Sequence, residues 1–304
     1  MHDARTVVIT GANSGIGFET ARHCAKTGWR VVLACRNPAK AEEAAARIRA
    51  ECPDAWLAPR VLDVSEPDSV AAFAQALSAD PGRLDVLVNN AGVAQVPLGR
   101  NSAGHELHLA TNYLGAFALT GLLLPLIEPR PGNRIVNVGS LAHRVGRLDF
   151  DDLDWQRRPY NDWQAYAASK LALITFTLEL ARRLEAAGSP LVALAAHPGF
   201  ARTNIHLNSP TLRRRHEARS GWLHRHLEGL VPDAERAARP VIHAITAPEV
   251  RGGDYFGPGG LFETGIGGRV RPARISRRAR DPEMARRLWE LSEALTGVRY
   301  LSDL

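Results

Sequence analysis

Tyr166 and Lys170 stand four residues apart in Tyr166-Ala167-Ala168-Ser169-Lys170, inside a run from about Trp163 to Ala187 that reads as one helix. Residues so spaced lie one above the other on a helix face, so both side chains point the same way. A free phenol titrates near 10 and is a poor proton donor or acceptor at neutral pH. Bringing it near 7 takes about 3 units, roughly 4 kcal/mol, and an ammonium about 4 Å away at an effective dielectric of about 20 supplies that much. The pair can therefore make a general acid/base. By itself the spacing is weak, since Tyr-x-x-x-Lys arises by chance in many helices as a solvated pair. The composition sharpens it: lysine occurs only as Lys26, Lys40 and Lys170 in a chain with 38 lysines and arginines. A compact ammonium and a guanidinium are not interchangeable.

A second set of residues could hold a nucleotide. The strand-like run Arg5 to Thr10 is followed by Gly11-Ala12-Asn13-Ser14-Gly15-Ile16-Gly17, which opens a helix from Ile16 to Thr27. Glycines let the backbone approach a pyrophosphate, and a helix N-terminus offers free N–H groups and a positive dipole end. The spacing is Gly-x3-Gly-x-Gly, and the bland alternative is a glycine-rich turn. At the end of the second strand, Arg30 to Ala34, comes Arg36, 19 residues past Gly17, with Lys40 a turn into the next helix. A dinucleotide fold usually places its ribose-reading residue here, and a guanidinium suits the 2′-phosphate of NADP where an acid would hold the hydroxyl of NAD. A third strand, Trp56 to Leu62, ends at Asp63-Val64, placed to face an adenine ring. A fourth, Leu84 to Val88, ends in Asn89-Asn90-Ala91-Gly92, whose amides could tie neighbouring strands and meet the cofactor.

The elements that position these residues follow from the pattern. A long helix is expected over Ala103 to Ile127 and carries Asn112, an unfavourable mid-helix residue that suggests a task such as a water relay. Within it His105-Glu106-Leu107-His108 invites a zinc reading, but its histidines lack the i, i+4 spacing that a helical metal pair needs, so no metal is expected. A fifth strand, Arg134 to Val138, ends in Gly139-Ser140; a sixth, Leu191 to Ala196, ends in His197-Pro198-Gly199, with Thr203 shortly after. Alternating strands and helices demand a parallel sheet, and ligands bind beyond the carboxyl ends of its strands. Gly11, Arg36, Asp63, Asn89, Ser140 and Pro198 all fall at those ends, a coincidence that argues for an enzyme more strongly than any one motif.

Between the fifth strand and the Tyr166 helix, residues about 141–163 form a substrate loop without periodicity, with Phe150, Trp155, Tyr160 and Trp163 among charges. Residues about 200–231 read as an amphipathic helical lid, whose Arg213-Arg214-Arg215 is a solvated face. Residues about 269–304 form a C-terminal extension, basic and exposed over Arg269 to Arg280. It ends in an amphipathic helix, Pro282 to Leu295, with Met284, Leu288, Leu291 and Leu295 on one face.

Composition narrows the classes. The chain has 304 residues, 45% of them hydrophobic, and carries a net charge of +6. That suits a soluble globular α/β chain, here expected as a single domain over residues 1–304. The arginine excess reads as codon bias, and no nucleic-acid recognition motif accompanies it. The run Leu114 to Ile127 is too short and too broken to span a bilayer. No apolar leader precedes the first strand, and Cys24, Cys35 and Cys52 read as reduced thiols, so a cytoplasmic location is expected.

The chain resembles the short-chain dehydrogenase/reductase family. The resemblance rests on Thr10-Gly11-Ala12-Asn13-Ser14-Gly15-Ile16-Gly17, Asn89-Asn90-Ala91-Gly92, Asn112, Ser140, Tyr166 with Lys170, and Pro198-Gly199 with Thr203, in order over residues 5–203. Ala34-Cys35-Arg36-Asn37, Asp151-Asp152-Leu153 and Leu288-Trp289-Glu290 are similar to its retinol-dehydrogenase-like branch. The resemblance implies a Rossmann-type doubly wound parallel sheet of about seven strands and NADP(H) in preference to NAD(H). It implies cofactor contacts from Gly11, Asn13, Ser14, Gly15, Ile16, Gly17, Arg36, Lys40, Asp63, Val64, Asn90, Ala91, Gly92, Tyr166, Lys170, Pro198, Gly199 and Thr203. It also implies catalysis by four residues. Tyr166 exchanges the proton, Lys170 lowers its pKa and holds the ribose, Ser140 bonds the carbonyl oxygen, and Asn112 holds water linking Lys170 to solvent. Membrane-bound members of that branch carry an N-terminal anchor that is not seen here, so neither their location nor a retinoid substrate is carried over.

The aromatic loop and the lid point to a bulky, apolar alcohol, aldehyde or ketone as the small-molecule substrate. Two rivals use the same features: a non-catalytic NADP-binding sensor or interaction protein, which need not keep all four catalytic positions, and a sugar-nucleotide epimerase, whose glycine spacing usually differs. Small residues on the Tyr166 helix could pack internally or against a second subunit, which leaves a homo-oligomer open.

Overall fold

The computed structural model describes residues 4–79, 83–199, 233–260 and 269–301. One eight-stranded sheet runs through it in the order β3-β2-β1-β4-β5-β6-β7-β8. The strands are β1 (Thr6–Thr10), β2 (Arg30–Cys35), β3 (Leu57–Val61), β4 (Val86–Asn89), β5 (Arg134–Val138), β6 (Val192–Ala196), β7 (Tyr255–Pro258) and β8 (Val270–Pro272). The first seven are parallel and β8 is antiparallel to β7. Val7, Val8 and Ile9 of β1 and Val86 to Val88 of β4 are buried on both faces, as the β-branched runs of a covered parallel sheet require.

Helices cover both sides. α1 (Gly15–Lys26), α2 (Pro38–Glu51) and, far along the chain, a helix at Ala234–Thr246 pack over one face. α3 (Pro67–Ser78), α4 (Leu107–Leu126) and α5 (Asp162–Ala186) cover the other. Numbering in chain order, Ala234–Thr246 is α6 and Pro282–Thr296 is α7. The order reverses between β1 and β4, which opens the crevice where such sheets bind ligands.

Two expectations need correction. The sheet has an eighth strand, Val270–Pro272, inside the basic tail expected to be exposed, and Ala279 in that tail is 1% exposed. An edge strand of three residues with two exposed carries no apolar alternation to read. The long helix starts at Leu107 rather than Ala103, because Arg100 and Glu106 first close an antiparallel bridge. Its Ala110–Leu114 stretch is wound as a π-helix. α4 is, among the described residues, the one helix long and apolar enough to cross a membrane, and 72% of its apolar window is buried inside the protein. The lid expected over residues 200–231, and Thr203 with it, lies outside the described residues.

Candidate active site

Thr10, at the carboxyl end of β1, organises the glycine loop. Its Oγ1 accepts the N–H groups of Asn90 and Ala91, each at 2.9 Å, and the Asn90 amide donates to the Thr10 carbonyl at 2.8 Å. Gly11 (φ +65°) and Gly15 (φ +56°) occupy backbone conformations that L side chains rarely adopt. A side chain at Gly17 would run into the Gly11 carbonyl and the Asn90 amide. Ser14 caps α1 in an extended conformation but its hydroxyl makes no capping bond, and the first turn, with Ile16 buried, holds no acid. The leading N–H groups of α1 are therefore oriented for an anion. Asn13 completes the loop, its backbone N–H and that of Ala12 lying near enough to the Cys35 thiol at the end of β2 to favour its ionised form. A dinucleotide pyrophosphate fits this cradle: the loop is shaped by glycine, and the space at Gly15 is open.

Arg36 lies just past β2, 78% exposed, with its Nε 3.7 Å from the Asp63 carboxylate. Lys40 is exposed on the first turn of α2, whose N-terminus Asn37 caps through the Lys40 N–H at 3.0 Å. Asp63 accepts from the Ser65 N–H at 3.0 Å and from its hydroxyl at 2.6 Å. Val64 is buried, and its carbonyl lies so close to Gly115 that no side chain fits there. Pro198 and Gly199 follow β6; Gly199 takes φ +73° and its N–H donates to His197 Nδ1 at 3.1 Å.

The catalytic candidates converge from β5, α4 and α5. The Ser140 hydroxyl neighbours that of Tyr166 and favours its ionised form; the Ser140 oxygen accepts the Ala142 N–H at 3.2 Å. Lys170, 6% exposed, sends Nζ to the Val138 carbonyl at 2.8 Å. Gly92 lies between Lys170 and Asn112: a methyl there would sit 2.9 Å from Asn112 Oδ1 and 3.6 Å from Lys170 Nζ. Asn112 is locked at the π-turn. Its Oδ1 accepts the Val93 N–H at 2.8 Å, and its amide donates to the Val93 carbonyl and Ser169 Oγ, each at 2.9 Å. Both amide protons are thus used within the protein.

The electrostatics overturn one expectation. Burial raises the Tyr166 hydroxyl above the ordinary phenol value, the nearby Ser140 hydroxyl opposing it in part. Lys170 is not what sets the phenol; burial pushes its own ammonium down to about 8. Helix spacing does put both side chains on one face, but the longer lysine reaches the end of β5 and spends its charge on a carbonyl. Loss of water then dominates both groups.

Several neighbours were not legible as site residues. The Glu106 carboxylate, 1% exposed, accepts from His108 Nδ1 at 2.7 Å, the Leu109 N–H at 2.9 Å and the Tyr160 hydroxyl at 2.9 Å. Burial works against its charge, yet the His108 and backbone bonds hold it below the usual carboxylate range. His105 pairs with Asp154 at 3.0 Å. The His-Glu-Leu-His run thus fastens the substrate loop, and the His108 ring stands edge-on to Tyr166 at 6.1 Å. Asn89 bonds Asn137 at 2.8 Å and Thr120 at 3.0 Å, tying β4, β5 and α4 under the site.

A glycine cradle at β1, a Ser–Tyr hydroxyl pair and a buried lysine along one sheet edge form a familiar constellation, and comparison with known proteins decides its membership. The short chain dehydrogenase model matches residues 5–211. The chain belongs to the short-chain dehydrogenase/reductase family. Human retinol dehydrogenase 13 is 40% identical over 300 residues, covering 97% of this chain and 85% of its own length. Mouse retinol dehydrogenase 14 is 38% identical over 314 residues, covering 98% and 87%. A crystal structure of a protein from Mycobacterium paratuberculosis is 42% identical and superposes with a TM-score of 0.79, covering 97% of this chain and 94% of that one. A short-chain dehydrogenase from Sphingobium yanoikuyae, solved in complex with NADPH, is 27% identical with a TM-score of 0.53, covering 67% and 75%. This short-chain dehydrogenase/reductase is an oxidoreductase acting on CH–OH groups with a nicotinamide dinucleotide.

Proposed function

We propose that the protein interconverts a bulky, apolar alcohol and its aldehyde or ketone using NADP(H), with Tyr166 as the general acid/base. The observation that carries this reading is that the Ser140 and Tyr166 hydroxyls are neighbours at the carboxyl end of β5, where Lys170 also reaches. A nicotinamide bound there supplies or accepts the hydride. Ser140 donates a hydrogen bond to the carbonyl oxygen and fixes its direction. Tyr166 gives its proton to that oxygen in reduction and takes it back in oxidation. Its raised hydroxyl keeps the phenol protonated at neutral pH, the form that reduction needs. Lys170 holds the ribose, and Asn112 keeps the π-turn and Gly92 packed against the lysine.

Arg36 supports NADP over NAD: an exposed guanidinium past β2 can make charge-assisted bonds to a 2′-phosphate. The aromatic substrate loop and the names of the retinol dehydrogenase relatives support an apolar substrate, with retinol and retinal as its first test. Cys24, Cys35 and Cys52 are free thiols, which fits a reducing, cytoplasmic setting. The test is NADPH consumption at 340 nm with retinal, nonanal and acetophenone, repeated with NADH, alongside chromatography of UDP-glucose for its epimer, since epimerisation consumes no net NADPH. Turnover of an apolar carbonyl with NADPH is expected. Turnover of UDP-glucose alone, or of nothing while NADPH still binds, would replace this reading by the epimerase or the sensor.

A further inference from the structure

His143 lies three residues past Ser140 and is fully buried. The Ser140 carbonyl accepts two bonds from it, from the His143 N–H at 3.2 Å and from Nδ1 at 2.6 Å. A carbonyl only accepts, so Nδ1 carries the proton. The other ring nitrogen accepts the Ser276 N–H at 3.3 Å. Both nitrogens are thus committed, and the ring is the neutral Nδ1–H tautomer. It stands edge-on to Tyr255 of β7 at 5.4 Å.

Ser276 belongs to a stretch beyond the residues that the family model matches. That stretch touches the Ser140 turn twice more. Arg144 donates to the Arg274 carbonyl at 3.2 Å, and Arg278 donates to the Gly146 carbonyl at 3.2 Å. Gly146 in turn lies against the α5 backbone at Ala167, the residue after Tyr166, with no room for a side chain.

We infer that His143 is a positioning residue for Ser140, and that the segment around Ser276 sets the active-site serine through it. The inference rests on the reading of Ser140 as the group that meets the carbonyl oxygen. The imidazole bridges the two segments: held by Ser276 on one side, it fixes the Ser140 peptide on the other, and so aims the hydroxyl at Tyr166. Ser276, which supplies the outer side of this brace, lies beyond the residues that the family model matches.

His143→Phe keeps a flat ring against Tyr255 and removes the bonds of both ring nitrogens; His143→Asn restores a donor near the Nδ1 position. Ser276→Pro removes the outer donor without touching the buried ring. With NADPH and nonanal, His143→Phe and Ser276→Pro should lower kcat about 10- to 100-fold, the usual cost of a displaced catalytic group, with the NADPH Kd within about 2-fold. His143→Asn should recover most of the loss. In a Ser140→Ala background His143→Phe should cost nothing further, because its effect passes through Ser140. Nitrogen-15 resonances of the wild-type protein should show a protonated Nδ1 at His143, a readout that needs neither turnover nor a variant that folds.

Wild-type kcat in either variant, an additive loss on top of Ser140→Ala, or an Nε2–H tautomer would overturn the inference. An active Ser140→Ala enzyme would instead remove the reading of Ser140 beneath it.

Discussion

At the scale of single residues, the site is governed by loss of water more than by attraction between charges. Tyr166 and Lys170 were expected to pair; each is instead shifted toward its neutral form by burial. For Lys170 the sign is definite. Its folded value of about 8 lies below its ordinary 10.5, so below pH 8 the native state holds a buried charge that the unfolded chain holds in water. That penalty is present through neutrality and is relieved as pH rises from about 8 toward 10.5. Lys170→Met should therefore stabilise the cofactor-free protein at pH 7 by about 1–3 kcal/mol, the loss of the Val138 bond included. The advantage should shrink by pH 10; thermal unfolding at both pH values checks it, and a less stable variant at pH 7 would contradict it. Arg36 makes the complementary case for an exposed group. Arg36→Asp should raise the KM for NADPH about 10- to 100-fold relative to that for NADH, as a lost charge-assisted contact does. Equal losses for the two cofactors in steady-state kinetics would remove its assignment to the 2′-phosphate.

At the scale of elements, the carboxyl-end convergence was legible because buried parallel strands announce themselves as β-branched runs, and each distinctive motif follows one. Gly17 shows how tight that junction is: the Gly11 carbonyl and the Asn90 amide close on the first turn of α1 with no room for a methyl. Gly17→Ala should cost about 1–3 kcal/mol of stability as an overpacked site does. NADPH affinity should fall with it, measured by calorimetry; an unaltered Kd would mean that the cradle is not the cofactor site. What the sequence concealed has physical reasons. The π-turn at Ala110–Leu114 leaves the apolar pattern of α4 unbroken, so only the odd Asn112 hinted at it. His105, Glu106 and His108 were weighed as metal ligands. Their partners Asp154 and Tyr160 lie about fifty positions away in an aperiodic loop, where spacing says nothing about contact.

At the scale of the whole molecule, the C-terminal extension is part of the body and not an appendage. The buried face of α7 is Ala285, Leu288, Trp289 and Ser292, a stripe rotated from the expected Met284, Leu288, Leu291 and Leu295. The small residues Ala285 and Ser292 let the helix approach until Tyr113 and Ser292 hydroxyls meet at 2.5 Å. Periodicity counts large apolar residues and overlooks such close approach. Trp289 packs its ring against those of Phe117, edge-on, and of Phe176 and Tyr300, tilted, and Arg183 lies 4.3 Å over its ring. Trp289→Ala should cost about 3–5 kcal/mol, read as a lower urea midpoint for the whole chain; a small early transition confined to the C-terminus would contradict the single-body view. All of this architecture brings one phenol to Ser140 at the carboxyl edge of the sheet. The most direct test is a single-turnover measurement at 340 nm with NADPH and the preferred carbonyl, comparing wild type with Tyr166→Phe at matched cofactor saturation. The account predicts that the variant binds NADPH normally and transfers no hydride on the wild-type time scale; a Phe variant that turns over at the wild-type rate would contradict it.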